Sequence, residues 1–165
     1  MTIKKHSLSE NGSYLEFCQL ASDDDSVFKT FRSNKIYQIV TEHFNYNSGK
    51  KHLDIIQNDI ELISLMDKFK TNDLYGFPPI YTYTLIGDIA PYTLRYIKVL
   101  FDIKSYFKNL NNFNICEIGG AYGGQLRILD IYYNLKSYCL VDLPSPLLLA
   151  QKYLNKYNNK TTIKY

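Results

Sequence analysis

Tryptophan is absent from this chain of 165 residues, and histidine, cysteine, methionine and proline are scarce, at three, three, two and five residues. Cys18, Cys116 and Cys139 are odd in number and form no C-x-x-C pair, which argues against a disulfide framework or a zinc site. Cys116 and Cys139 sit inside short apolar runs, where a free thiol behaves as a small hydrophobe. No apolar run approaches the roughly 20 residues of a membrane-spanning helix. The opening stretch MTIKKHSLSENGSYLEF has no apolar secretory core, so the chain reads as cytoplasmic. Charge of one sign is also missing. Nineteen Lys and Arg against sixteen Asp and Glu leave a net charge of +3, and the lysines are scattered, which speaks against nucleic acid as a partner. No cluster of carboxylates and histidines asks for a metal.

Apolar content of 45% in 165 residues is enough for one domain with a true core. The unusual abundance is tyrosine, at 16 residues. It is read first as coding bias plus core packing, and second as a polar aromatic surface suited to sugars or purine rings.

Up to about residue 110 the periodicity is mostly helical. Asp25 or Ser26 is placed to cap a helix whose broken apolar face is Val27, Phe31, Ile36, Ile39 and Val40. Leu53, Ile56, Ile60, Ile63 and Met66 or Phe69 recur at three and four, on one face of a second helix. Gly76, Pro78, Pro79, Gly87 and Pro91 then forbid a continuous helix. IYTYTLI is expected to be a short extended piece, and Pro91 to open a helix with Leu94, Ile97 and Phe101 inward. After residue 112 the pattern becomes strand (FNICEI), helix (GQLRILDIYYNL), strand (SYCLVDL), helix (PSPLLLAQKYLNKY) and strand (TTIKY). Ser145 is expected as the cap of the second of these helices, with Pro146 in its first turn. Short links between such elements imply right-handed βαβ units and a parallel sheet. The expected fold is therefore α/β: a mainly helical cap or lid region over 1–111, and the first part of a Rossmann-like sheet over 112–165. The sheet stops after two and a half strands, so the chain reads as cut off part-way through such a domain.

The chemistry concentrates in EIGGAYGG. A strand ends at Ile118 and a helix begins near Gly123. Glycines permit a tight turn and a close ligand approach, and the helix start offers free N–H groups. The next strand ends at Asp142, about 20 residues on, where a carboxylate can accept the hydroxyls of a ribose. Glu117 decides between cofactors. Facing a pyrophosphate it would repel; facing an amino group it attracts. This favours S-adenosylmethionine, which carries an α-ammonium and no phosphate, over a nicotinamide dinucleotide.

EIGGAYGG resembles motif I of class I methyltransferases, E/D-x-G-x-G-x-G, with Glu117, Gly119 and Gly123 in register. More narrowly, EIGGAYGGQ with VDLPSPLLLAQKYL, preceded by NDLYGFP (Asp73 to Pro78) and APYTLRY (Ala90 to Tyr96), is similar to a family of sugar O-methyltransferases. The likeness runs from about residue 26 to the end. Ala121 departs from the family, which usually has glycine there. The resemblance implies methyl transfer from S-adenosylmethionine to a sugar hydroxyl, in polysaccharide or glycoside biosynthesis. It implies Glu117 on the methionine amino group, with Gly119, Gly120, Ala121 and Tyr122 lending backbone around the methionine tail. Gly123 and Gly124 would serve the cofactor or helix–strand packing, and Gln125 the cofactor, the acceptor or only the helix start. Asp142 would take the ribose, Leu143 would lie near the adenine, and Arg95 would hold the cofactor carboxylate or an acidic sugar. Asp73 and Tyr75 are expected to shape a lid, with Gly76 and Pro78 as turn formers. No general base is assigned: His6, His43 and His52 stand at no useful spacing. Two alternatives stay open, a nicotinamide-dependent sugar oxidoreductase or epimerase, and a truncated non-catalytic remnant or interaction module.

Overall fold

A computed structural model describes residues 12–165; His6 lies outside them. Helix α1 (Gly12–Asp23) leads into short pieces: α2 (Asp25–Phe28), a 3-10 turn (Phe31–Ser33) and α3 (Lys35–Gln38). The first expected helix is therefore broken. Asp24, one residue before the expected caps, accepts from the Ser26 N–H and starts α2. Asn34 does the same for Ile36 and starts α3. These caps reset the helical phase, so Phe28, Phe31 and Tyr37 are buried while Ile36 and Ile39 face solvent.

The second expected helix divides into α4 (Tyr46–Ile56), α5 (Ile60–Ser64) and α6 (Met66–Lys70). Asp59 interrupts it by capping Leu62 N–H at 3.2 Å. Leu53, Ile56, Met66 and Phe69 stay inward, but Ile60 is 86% exposed and Leu62 replaces it in the core. IYTYTLI supplies strand β1 (Tyr81–Tyr83), which pairs antiparallel with an unanticipated strand β2 (Gly87–Ile89). Pro91 opens α7 (Pro91–Phe107), as expected of a residue with no N–H to satisfy.

The parallel sheet consists of β3 (Asn114–Ile118), β4 (Ser137–Val141) and β5 (Thr162–Lys164), in that spatial order. The crossovers are α8 (Gly124–Tyr132) and α9 (Pro144–Leu154). Helix α9 starts before its expected cap: Leu143 is the cap residue and Pro144 occupies the first turn. Successive crossovers of one hand moving in one direction lay both helices on one face of the sheet. Tyr138 and Leu140 are buried beneath them. Cys116 is exposed and Cys139 half-buried on the opposite, uncovered face, so neither is the buried hydrophobe expected; Cys18, on α1, is.

Helix α1 packs along α9, α4 along α7, and α7 against α8. One continuous core thus runs from Tyr14 through Phe69 and Leu94 to Leu154. A polar hub sits inside it. Arg32 is fully buried, with Nε 2.7 Å from Glu42 and Nη1 3.1 Å from Asp73. Its guanidinium lies 4.8 Å from the Tyr122 ring centroid. Asp73 also accepts from the Ala90 N–H at 2.9 Å and the Thr93 hydroxyl at 2.7 Å. It thereby caps α7, whose own cap residue Ala90 has no side chain for the task. NDLYGFP and APYTLRY are thus joined through Asp73, which is a core tie rather than a lid residue. Tyr75 packs against Phe28, Tyr153 and Tyr157. Gly76 makes a turn at φ +85°, where a Cβ would strike Phe31 and Arg32.

Candidate functional site

A cleft of about 390 Å³ opens where β3 and β4 end. Its lining includes Glu117, Ile118, Gly119, Gly120, Ala121 and Asp142 from the strand ends and the glycine turn, and Tyr92, Arg95 and Tyr96 from α7. Tyr14, Val40 and Thr41 complete the wall. In a parallel sheet the loops after the strands gather at one end, which brings residues far apart in sequence together.

The glycine turn is built by conformation. Gly119 has φ +77° and Gly123 φ +85°, values that suit a residue with no Cβ. Ala121 adopts φ +47° despite its methyl group. A Cβ on Gly119 would meet nothing within 4 Å, so its bare backbone faces open space. A Cβ on Gly120 would lie 2.4 Å from a methyl of Leu140. Gly123 and Gly124 serve packing: Cβ atoms there would strike Leu154, and Tyr96 with Tyr122.

Asp142 holds this turn in place. One carboxylate oxygen accepts from the Ala121 N–H at 2.9 Å and the other from the Leu143 N–H at 2.7 Å. The strand-end acid therefore faces the cleft with both oxygens already bonded to backbone. Glu117 accepts one hydrogen bond, from the Tyr138 hydroxyl at 2.9 Å. Burial raises its pKa, against the opposing effects of that bond and of Arg95. Arg95 has neither a hydrogen bond nor an ion pair among the described residues. Its guanidinium rests over the Tyr92 and Tyr96 rings, 5.7 and 6.0 Å from their centroids. Burial pushes Tyr92 up to about 12, so it faces the cleft as a neutral phenol.

Not every anticipated residue reaches the cleft. Tyr122 is fully buried, with edge contacts to Phe31, Tyr96 and Tyr153, and does not line it. Gly123 and Leu143 also stand outside the lining. Gln125 is buried and donates to the Tyr96 carbonyl at 3.3 Å, tying α8 to α7. Among the described residues no histidine lines the cleft; His43 touches its wall from outside, with Nδ1 3.4 Å from the Tyr92 hydroxyl. Among the described residues no group of three or more His, Cys, Asp or Glu is placed to hold a metal ion, and no helix is long and apolar enough to cross a membrane.

Tyr92 and Tyr96 were legible as neighbours of Arg95 on adjacent turns of one helix. Tyr14 and Thr41 carry no local signal. Tyr14 arrives because α1 packs on α9. Thr41 arrives because Glu42, at φ +61°, turns its own carboxylate inward to Arg32. No family model matches this chain, and no curated protein or solved structure is significantly similar to it.

Proposed function

We propose that the cleft binds S-adenosylmethionine on a Rossmann-like sheet and that the protein, or a longer protein of which it is part, is a sugar O-methyltransferase. One observation carries the cofactor reading. Glu117 is a half-buried carboxylate at the end of β3 whose hydrogen bond comes from a neutral phenol rather than a cation. A carboxylate desolvated in this way is costly unless a cation joins it, and an α-ammonium is such a cation. A pyrophosphate at the same place would meet that charge unfavourably, which disfavours the nicotinamide alternative.

The remaining residues are consistent with this ligand. Gly119 presents main chain without a side chain, so a methionine tail can approach closely. Asp142 keeps the turn open by holding Ala121 and Leu143, and its carboxylate stays in the cleft wall. Arg95 offers an uncommitted guanidinium to a carboxylate of the ligand or the acceptor. When bound, the cofactor supplies an activated methyl group on a sulfonium centre. The protein's part is to hold a hydroxyl in line with it, and Tyr14, Tyr92 and Tyr96 give the cleft polar aromatic walls of the kind that stack on sugar rings. The sugar rests on the resemblance of the four ordered sequence elements.

Isothermal titration of the full chain with S-adenosylhomocysteine, and with NAD in parallel, tests the reading. Saturable binding of the first that is lost in Glu117→Gln is expected. Binding of NAD instead would transfer the site to the oxidoreductase alternative, and binding of neither by folded protein would remove the cofactor reading.

A further inference from the structure

The face of the parallel sheet that no helix covers among the described residues carries a second candidate site, one residue pair away from the Ile118 edge of the cleft. Cys116 and Cys139 are register partners on β3 and β4. Side chains at paired positions of parallel strands point to the same face, and here that face is the one without helices among the described residues. Tyr138 and Leu140 are buried on the other side, whereas Cys116 is exposed and Cys139 half-buried. The preceding pair on this face shows that such neighbours reach one another: Ser137 Oγ donates to Asn114 Oδ1 at 2.7 Å. The two thiols therefore stand side by side two residues further along. Ile118 and Val141 follow them. Lys164 is the partner of Cys139 on β5 and completes a Cys–Cys–Lys row.

We propose that Cys116 and Cys139 form a two-thiolate site for a soft, low-coordinate cation of the cuprous type. Geometry and ligand count select this occupant. Adjacent strands lie about 4.8 Å apart, and the Cβ atoms of in-register parallel neighbours stay about that far apart. That exceeds the roughly 3.5–4.5 Å that a relaxed disulfide needs, so an atom placed between the sulfurs fits better than a direct S–S bond. Zinc in a structural site requires four ligands, and no group of three or more His, Cys, Asp or Glu is assembled among the described residues. Thiolates favour monovalent copper, zinc and iron–sulfur clusters; zinc and clusters each need four ligands, which leaves monovalent copper for a pair. On binding, each thiol releases one proton and two sulfur–metal bonds form, while the cation leaves its carrier with no change of oxidation state. The product bears one net negative charge, which Lys164 is placed to offset.

The test uses the full reduced chain under argon, titrated with cuprous ion held by bicinchoninate. One equivalent is expected to leave the chelator, and two of the three thiols to become resistant to iodoacetamide. Cys116→Ser and Cys139→Ser should each abolish the withdrawal, while Cys18→Ser, on α1, retains it. Circular dichroism verifies that each variant is folded. Undiminished withdrawal by folded Cys116→Ser or Cys139→Ser, or equal protection of both thiols by zinc at the same concentration, overturns the proposal.

Discussion

Two places in this molecule set an arginine beside two carboxylates, and they use them in opposite ways. In the core, Arg32 is bonded to Glu42 and Asp73, and its ring contact with Tyr122 seals the group from water. In the cleft, Arg95 faces Glu117 and Asp142 without bonding to either, and those acids spend their hydrogen bonds on Tyr138 and on backbone N–H groups. The first set is consumed by the fold. The second is held rigid but left available. The two sets are joined through adjacent residues: Glu42 belongs to the hub while Thr41 lines the cleft, and Tyr122 stacks on Arg32 while Ala121 lines the cleft. Composition does not distinguish a structural ion cluster from a binding one; partner count and burial do.

The sharpest way to break the comparison is to remove each arginine. Arg32→Met leaves Glu42 and Asp73 without their buried partner and should cost about 3–5 kcal/mol, read as a large fall in the urea midpoint. Arg95→Met should change stability by less than about 1 kcal/mol in the same measurement while weakening ligand binding by titration. Equal effects on stability would erase the distinction. Next in size is Gly124→Ala, whose methyl would meet two aromatic rings that cannot yield easily. Overpacking of this kind costs about 1–3 kcal/mol, measurable as a lower Tm, and should disturb hub and cleft together because Tyr122 belongs to the core and Tyr96 to the cleft.

A smaller effect is expected from Glu117→Gln. Because burial raises the pKa of Glu117, the folded state holds its proton more tightly than the unfolded chain does. Its contribution to stability is therefore most favourable below the ordinary carboxylate range and is lost as pH rises through the raised value. The free variant should be more stable than the parent at neutral pH, with the difference shrinking on acidification in denaturation series. It should also lose S-adenosylhomocysteine binding. A variant less stable than the parent at pH 7 would place Glu117 with the structural charges instead. The smallest effect is assigned to Ala121→Gly. Relief of the left-handed conformation at φ +47° offsets the entropy of an added glycine, for a net gain of up to about 1 kcal/mol in thermal unfolding.

Much of the sheet could be read locally. β3, β4, β5, α8 and α9 appear in sequence order with nearly their expected bounds, because turn residues and apolar runs mark them directly. The helical half is more broken than its apolar spacing suggests. Asp24, Asn34 and Asp59 each cap a short helix in a stretch whose apolar spacing suggested longer ones, and a side chain that satisfies a local N–H overrides weak periodicity. The sequence suggests a lid role for Asp73 and Tyr75 of NDLYGFP and a ligand contact for Arg95 of APYTLRY. Asp73 shows why they travel together: one carboxylate joins the two segments and starts α7. Asp142 was expected to face a ribose, and its backbone bonds to Ala121 and Leu143 were not legible, since they exist only once the glycine turn has closed over the end of β4.

Sequence alone determined the order of elements from β3 onward, the glycine turn after β3 and the two acids at successive strand ends, because these depend on backbone conformation and on residues within one βαβ unit. Tertiary packing decided which charges are spent and which are free. Arg32 and Arg95 are the same residue type on helical segments, and only the approach of Glu42 and Asp73 to one of them, with water excluded, makes it structural. The same packing left Cys116 exposed and Cys139 half-buried on a sheet face that no helix covers among the described residues, where an apolar context in the sequence implies burial.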